Sequence, residues 1–357
     1  MTSGEEQLIQ PSPDTRIFVI ENSCQRTCPH CFLDPGEGSM RQAEEIALRA
    51  HELGYGVYFY ATEASPRSHT MYQRVDQDTD AASICMRGET AYRNLDWLMN
   101  KRGRIGFSLH GATAETHRLI AGEDTFDMTV EAIRNVAQMN TTAKINIWCT
   151  LHRKNIAEIR MICELARDVG ASYLTFIKLS YLGRAQKMGA EWFLTPADIA
   201  YAVREVEAIY ESGAFPNPHI MLAPNWGMTY KQAQKFNAGK KSLYSPTERY
   251  CPAGTQRFAV DSKTLKVYPC HLFAGDEAYA IGRWSERGVV IEDDTFIKSL
   301  EQLAEPCGSC AILDACGGGC RAEAIAEHRR LHGEYEFKAG FTTCRGVMVS
   351  DIELHMS

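Results

Sequence analysis

The sequence predicts an α/β protein, in which a partial (β/α)6-type, TIM-like barrel is followed by a small loop-rich domain. β-rich runs alternate with amphipathic helical segments from residue 16 to 222, and this alternation stops near residue 223. A second group of cysteines then begins at Cys251. Strands that alternate with helices pair in parallel through helical crossovers. Six or seven such units fit a full or partial barrel, whose chemistry lies at the C-terminal ends of the strands.

The elements follow one another regularly. Short apolar runs such as "RIFVI" predict strands, and apolar residues spaced by three and four predict helices. The predicted strands are 16–20, 56–60, 82–86, 104–109, 144–151, 173–178 and 219–222. The predicted helices are 40–53, 90–100, 127–138, 156–168 and 196–211. The domains expected from this order are an N-terminal tail (1–15), a barrel (16–225), a linker (226–250) and a C-terminal domain (251–357).

Composition and charge exclude several functional classes. The 357 residues are 45% hydrophobic, 23% charged and carry a formal net charge of -7. Because no long block of lysine and arginine is present, neither a nucleic acid nor a membrane surface is an expected partner. No signal peptide and no membrane-spanning apolar stretch is visible, so we expect a cytoplasmic protein. Thirteen cysteines in a reducing compartment favour metal or redox chemistry over disulfides.

The first cysteine array lies in "ENSCQRTCPHCFLDPG", directly after the first predicted strand. Its members, Cys24, Cys28 and Cys31, have the spacing C-x3-C-x2-C. A redox pair or a partial zinc site is one interpretation, but a structural zinc site takes four ligands and only His30 stands nearby. A four-iron cluster bound by three thiolates would instead leave one iron open to bind a reactant.

This motif, in the loop after the first strand of a β/α barrel, resembles that of the radical SAM superfamily over residues 16 to about 225. The resemblance implies a [4Fe-4S] cluster whose open iron chelates S-adenosylmethionine (SAM). Electron transfer then cleaves SAM to methionine and a 5'-deoxyadenosyl radical. His30 occupies the position of an aromatic residue that packs near the adenine in that family.

Other positions match the family less closely. Glu63 in "YATEAS" holds the acidic place of a Gly-Gly-Glu-Pro motif that approaches the SAM amino group, although it could be an ordinary surface acid. In "IGFSLHGATAETH", Ser108 is a candidate SAM contact. His110 and His117 are candidates for substrate binding or proton transfer, with a structural role as the alternative. The resemblance of "LSYLGRAQ" to the family's Gly-Arg-Ala segment makes Arg184 another candidate SAM contact.

The second cysteine array contains seven thiols at short, irregular spacing, which suits metal ligation. Its members are Cys251, Cys270, Cys307, Cys310, Cys316, Cys320 and Cys344. A zinc ribbon is the main alternative.

The whole array resembles the SPASM extension of radical SAM enzymes, which carries two auxiliary iron-sulfur clusters. The resemblance assigns Cys251, Cys270 and Cys320 to the cluster nearer the barrel, and the other four to a distal one. The resemblance assigns no fourth ligand to the nearer cluster. Leu265 replaces a family glycine in the hairpin before Cys270, which is expected to weaken the turn.

Three cysteines remain outside the two arrays: Cys85, Cys149 and Cys163. They are expected to be small apolar core residues. Cys85 or Cys149, near the barrel mouth, could alternatively donate a hydrogen atom to a substrate radical. Cys163 lies in a predicted helix and is expected to be buried.

The expected function is hydrogen abstraction from an unactivated C–H bond during natural-product biosynthesis. A two-electron oxidation or cross-link of a peptide is one possibility, and a dehydrogenase or epimerase acting on a carbohydrate or aminocyclitol is another. Because the barrel begins near residue 16, we expect no N-terminal leader-binding domain, so a peptide would come from a separate recognition protein. The expected electron donor resembles flavodoxin or ferredoxin. A non-SAM electron carrier is disfavoured, since electron transfer needs no barrel.

Overall fold

The computed structural model of the chain describes residues 7–21, 24, 27–33, 39–60, 84–99, 104–139, 142–223, 226, 251–301, 313 and 319–333. Its described strands form one twelve-stranded sheet in the order β1-β12-β11-β10-β9-β2-β3-β4-β5-β6-β7-β8. The strands are Gln7–Leu8 (β1), Arg16–Ile20 (β2), Gly56–Tyr60 (β3), Ile84–Met86 (β4), Arg104–Ser108 (β5), Lys144–Leu151 (β6), Tyr173–Lys178 (β7), His219–Leu222 (β8), Arg257–Asp261 (β9), Lys266–Tyr268 (β10), Gly282–Ser285 (β11) and Gly288–Ile291 (β12).

Strands β2 to β8 are parallel neighbours, and this confirms the predicted partial barrel. The apolar run of β2 explains its central place, because Ile17 and Val19 are fully buried. Burial of each such side chain contributes about 1.5–3 kcal/mol. All parallel strands share one direction, so their C-terminal ends meet at one edge. The loop with the first cysteine array begins at that edge, after Ile20.

The predicted helices are present, with differences in detail. The described helices are Met40–Leu53 (α1), Gly88–Arg93 (α2), Leu95–Leu98 (α3), Ala114–Ala121 (α4), Phe126–Met139 (α5), Ile159–Asp168 (α6), Pro196–Glu211 (α7), Thr295–Glu301 (α8) and Arg321–His332 (α9). The helix expected over 90–100 is broken at Asn94, whose side-chain amide donates to the Thr90 carbonyl at 2.7 Å. None of the described helices is long and apolar enough to cross a lipid bilayer.

Helix α4 was not predicted because it has only eight residues. A capping box at Thr113 and Thr116 fixes its beginning, which compensates for its short length. Its C-terminal end contacts the first cysteine loop, so a short and weakly patterned helix supports the candidate site.

The sheet continues from the barrel into the C-terminal region. Strand β9 pairs in parallel with β2, Arg16 lying opposite Arg257 and Ile20 opposite Asp261. At the far edge, Gln7 and Leu8 of the expected tail pair with β12. Such pairings between distant segments have no local sequence signal. The boundary at 226–250 stays a prediction, since apart from Trp226 that segment lies outside the described residues.

The hairpin between β9 and β10 forms despite its missing glycine. Leu265 adopts a φ of 60°, in the left-handed region that glycine favours. Its N–H donates to the Asp261 carbonyl at 2.8 Å, and its carbonyl accepts from the Trp284 N–H at 2.7 Å. These bonds hold Leu265 in a conformation that costs a leucine roughly 1–2 kcal/mol. The expected weakening is therefore a local conformational cost, and the turn is retained.

Candidate cluster and cofactor site

The first cysteine loop is held on two sides. The Cys28 thiol donates to the carbonyl of Ala121, the last residue of α4, at 3.2 Å. On the other side, the backbone N–H of Arg184 donates to the Cys31 carbonyl at 2.9 Å and to the Leu33 carbonyl at 3.3 Å. Arg184 therefore contacts the loop through its backbone, and its role toward SAM stays a proposal.

Gly183 makes this backbone contact possible. Its φ is 53°, and a Cβ atom at this position would lie 2.3 Å from both the carbonyl carbon and the oxygen of Phe32. No side chain fits at that distance. The glycine of the Gly-Arg-Ala segment thus lets residues 183 and 184 lie directly against the backbone that follows Cys31.

The protonation of the thiols depends on their burial. The pKa of Cys31 is raised to about 11, mainly by burial and to a smaller extent by the neighbouring Cys28 and Cys24. A backbone N–H of Leu33 and the charge of Arg184 lower it by less. Three adjacent thiols in such surroundings ionise only when a cation compensates the charge.

The donor set fits an iron-sulfur cluster. Among the described residues, no three His, Cys, Asp or Glu side chains converge on a position for a single metal ion. A four-iron cluster makes a different demand, because each thiolate binds a different iron atom. Three neighbouring thiols in one loop match that demand and would leave one iron without a cysteine.

His30 lies against the barrel rim with a defined proton position. Its Nδ1 lies 2.7 Å from the Ile120 carbonyl, so Nδ1 carries the proton and Nε2 is left as an acceptor. Burial lowers its pKa to about 4, while the bond to Ile120 acts in the opposite direction. Its ring packs edge-on against His110, with 4.5 Å between the centroids. His30 is therefore a neutral ring at neutral pH.

His110 and His117 belong to a hydrogen-bonded network. Thr150 N–H donates to Nδ1 of His110 at 3.2 Å, and the Asn155 amide donates to the His110 carbonyl at 2.8 Å. His110 N–H donates to Nδ1 of His117 at 3.1 Å, and the other ring nitrogen of His117 lies 3.1 Å from the Thr125 hydroxyl. Burial lowers the pKa of His117 to about 4 and that of His110 well below its ordinary value. Since both nitrogens of His117 are occupied, its structural role is favoured.

Three further candidate residues are described to different extents. Ser108 is half-buried at the end of β5, opposite Trp148 of β6. Cys85 lies on β4 opposite Gly106, but its side chain lies outside the described part of the chain. Glu63 lies outside the described residues altogether.

Cys149 packs toward the helical layer. It is fully buried, and burial raises its pKa well above the ordinary range, with smaller effects of Cys163 and Glu158. Cys163 is itself a buried residue of α6 with a pKa raised by burial to about 12. This placement favours a core role for both residues. For Cys149 it argues against the alternative of a hydrogen donor.

Three members of the second array come together. Burial raises the pKa of Cys270 well above its ordinary value, and the nearby Cys251 and Cys320 raise it further. Backbone N–H groups that follow Cys270 and Cys320 donate to their sulfurs. Such bonds are typical of sulfurs that ligate iron and help to set its potential. The other four members, Cys307, Cys310, Cys316 and Cys344, lie outside the described residues.

The two arrays touch through the residues that follow their cysteines. Phe32 follows Cys31, His271 follows Cys270, and their ring centroids are 5.7 Å apart. Phe18 of β2 also stacks on His271, with 4.8 Å between the ring centroids. Burial, with a smaller effect of a nearby arginine, lowers the pKa of His271 to about 3. A neutral imidazole therefore lies between the two groups of thiols.

Sequence reasoning missed two features at this edge of the barrel. Asn155, which is fully buried, joins the loops after β5 and β6 by donating to the carbonyls of His110 and Thr150. Lys178, the last residue of β7, forms a buried ion pair with Glu323 of α9. Both features join distant parts of the chain, so no local pattern indicates them.

Several curated proteins are similar to most of the chain. "Mycofactocin maturase MftC" of Mycobacterium tuberculosis is 26% identical over 90% of this chain and 83% of its own length. "PqqA peptide cyclase" of Methylocella silvestris is 25% identical over 88% and 84%, respectively. "AdoMet-dependent heme synthase" of Methanosarcina barkeri is 27% identical over 88% and 93%. No protein-family model matches the chain.

Solved structures share the fold at low sequence identity. Native anSMEcpe with bound AdoMet and Cp18Cys peptide superposes with a TM-score of 0.64 and 18% identity, covering 88% of this chain and 90% of that one. SuiB of Streptococcus suis bound to precursor peptide SuiA superposes with a TM-score of 0.63 and 14% identity, covering 89% and 73%. These likenesses show the fold.

Proposed function

Since the chain is a radical SAM enzyme with a SPASM-type C-terminal extension, we propose that it oxidises a peptide by two electrons after abstracting hydrogen from an unactivated C–H bond. The observation that carries the proposal is the contact between the two cysteine arrays. The loop of Cys24, Cys28 and Cys31 reaches Cys270 through the rings of Phe32 and His271. A site for hydrogen abstraction and a site for electron removal would thus lie side by side.

The first array and its neighbours would bind the cofactors. The family implies a [4Fe-4S] cluster and SAM, which together supply the 5'-deoxyadenosyl radical when bound. Cys24, Cys28 and Cys31 would hold the cluster. His30 offers a neutral ring face and an acceptor nitrogen at the barrel rim, which suits a purine. Ser108, Arg184 and Glu63 are the other proposed SAM contacts.

The second array would hold two auxiliary clusters. Cys251, Cys270 and Cys320 form the proposed nearer set, and Cys307, Cys310, Cys316 and Cys344 the distal one. Loss of a proton makes a substrate radical easier to oxidise, so an adjacent cluster could accept its electron. The proposed external electron donor is a protein of the flavodoxin or ferredoxin type.

A peptide is the substrate class that the relatives favour. One relative is named a PqqA peptide cyclase, and two structures of the same fold hold peptides. A small molecule is the second candidate, since a relative at 27% identity is named a heme synthase. A protease-treated and an untreated cell extract, each incubated with enzyme and SAM, distinguish these classes. Substrate-dependent deoxyadenosine release should disappear after proteolysis if the substrate is a peptide.

The mass of the product tests the proposed oxidation. We expect the peptide to lose two hydrogens per turnover, because hydrogen abstraction is followed by loss of a proton and an electron. Mass spectrometry of the peptide after reaction in heavy water provides the measurement. An unchanged number of hydrogens with one solvent deuterium incorporated would indicate epimerisation. Cys85→Ala and Cys149→Ala would then test the hydrogen donor, and Cys85 would be the first choice because Cys149 packs toward α6.

A further inference from the structure

A buried ion pair joins the barrel to the second cysteine array. Nζ of Lys178, at the C-terminal end of β7, lies 3.0 Å from Oε1 of Glu323. Each side chain is only 4% exposed. Glu323 lies in the first turn of α9, whose N-cap is Cys320. The pair therefore lies next to one of the three gathered thiols.

Glu323 also contacts Cys320 through its backbone. Its backbone N–H donates to the Cys320 sulfur, so one residue both bonds the sulfur and carries a charge near it. The second carboxylate oxygen, Oε2, is buried and has no hydrogen-bond partner within the part of the chain that the structure describes. Because Lys178 is its ion-pair partner among the described residues and both side chains are buried, its field at Cys320 is weakly screened.

We propose that the Lys178–Glu323 pair sets the reduction potential of the auxiliary cluster bound through Cys320. Hydrogen bonds to the sulfurs, nearby charge and burial are the factors by which proteins tune such clusters. Glu323 lies in the first turn of the helix that Cys320 caps, and its negative charge acts on this sulfur. It disfavours the more negative, reduced cluster and lowers the potential. This inference rests on the proposed function, because it requires that Cys320 ligates a cluster.

The buried Lys178–Glu323 pair is not expected to stabilise the fold more than apolar side chains would. Replacing a buried ion pair by apolar residues is often neutral or stabilising by 1–4 kcal/mol, whereas removing one partner costs about 3–5 kcal/mol. Folding alone therefore does not require these charges. Their place between β7 and Cys320 gives them an electrostatic effect that two apolar side chains would lack.

The test is an EPR-monitored redox titration of the reconstituted enzyme in the Cys24→Ala/Cys28→Ala/Cys31→Ala background, which removes the first cluster. Glu323→Gln keeps the shape of the side chain and removes its charge. We expect one reduction step to become about tenfold more favourable, a rise of ~59 mV for one electron. Glu327→Gln is the matched control, because Glu327 lies one turn further along α9 and pairs with Arg330. It should leave every potential unchanged.

A double variant separates electrostatics from folding. Lys178→Met with Glu323→Leu should retain its melting temperature and iron content, and raise the same potential by less than Glu323→Gln does. An unchanged potential in Glu323→Gln, or an equal rise in Glu327→Gln, would overturn the inference. The absence of any auxiliary-cluster signal in the parent protein would instead contradict the proposed function.

Discussion

The variant in which Cys24, Cys28 and Cys31 are all replaced by alanine is expected to form no 5'-deoxyadenosine from SAM and dithionite. These thiols are the proposed ligands of the cluster that delivers the electron, and alanine cannot replace them. The second array uses other residues, so its clusters should remain. Anaerobic reconstitution should then yield roughly eight irons per chain, compared with roughly twelve in the unaltered protein if all three clusters are cubanes. Iron analysis and chromatography of the nucleosides provide the measurements.

Cys163→Ala is the control for this experiment. Cys163 is a buried core residue of α6 and belongs to neither array. Its replacement should lower the free energy of unfolding slightly and leave the iron content unchanged. Deoxyadenosine formed by the triple variant under reducing conditions would show that the catalytic cluster is assigned to the wrong residues. Iron near four per chain in the unaltered protein, together with stoichiometric zinc, would contradict the auxiliary clusters.

Gly183→Ala should reduce deoxyadenosine formation by about 100-fold, the effect expected when a reacting group moves by an ångström. The new methyl group would lie 2.3 Å from the Phe32 carbonyl, so the loop that carries Cys31 must move. The positive φ adds roughly 1–2 kcal/mol to the cost. Rates of deoxyadenosine formation at saturating SAM, together with thermal unfolding, provide the measurements.

Gly213→Ala is the control that separates the steric clash with Phe32 from the cost of a positive φ. Gly213, beyond the C-terminal end of α7, also has a positive φ (63°), but a Cβ there would meet no atom within 4 Å. It should lose stability by about 1–2 kcal/mol and keep its activity. Similar activity of the two alanine variants would mean that the contact between Gly183 and Phe32 does not position the loop.

The barrel could be predicted because its signals are local. The run around Ile17 and Val19, and the alternation with helices such as α1, reflect burial that each segment shows by itself. The spacing of Cys24, Cys28 and Cys31 is equally local. The predicted bounds of β6 and β7 agree with the structure for the same reason.

The remaining features depend on contacts between distant segments. Nothing near Arg257 indicates that β9 will pair with β2, because the pairing is decided by which strand lies next to the open edge. The Lys178–Glu323 pair could not be predicted from the sequence for the same reason, since lysine and glutamate usually lie on the surface. Helix α4 escaped prediction because a cap, and not a long apolar pattern, defines it.

The most direct test of the account is deuterium transfer into 5'-deoxyadenosine. Cells that carry the gene are grown in heavy water, and their peptide fraction is exchanged into ordinary water, so that deuterium remains only on carbon. This fraction is incubated anaerobically with the reconstituted enzyme, SAM and dithionite, and the deoxyadenosine is analysed by mass spectrometry. If the enzyme abstracts hydrogen from a peptide C–H bond, the deoxyadenosine gains one deuterium, and protease treatment of the fraction removes that gain. Deoxyadenosine that stays unlabelled with the intact fraction would contradict the account.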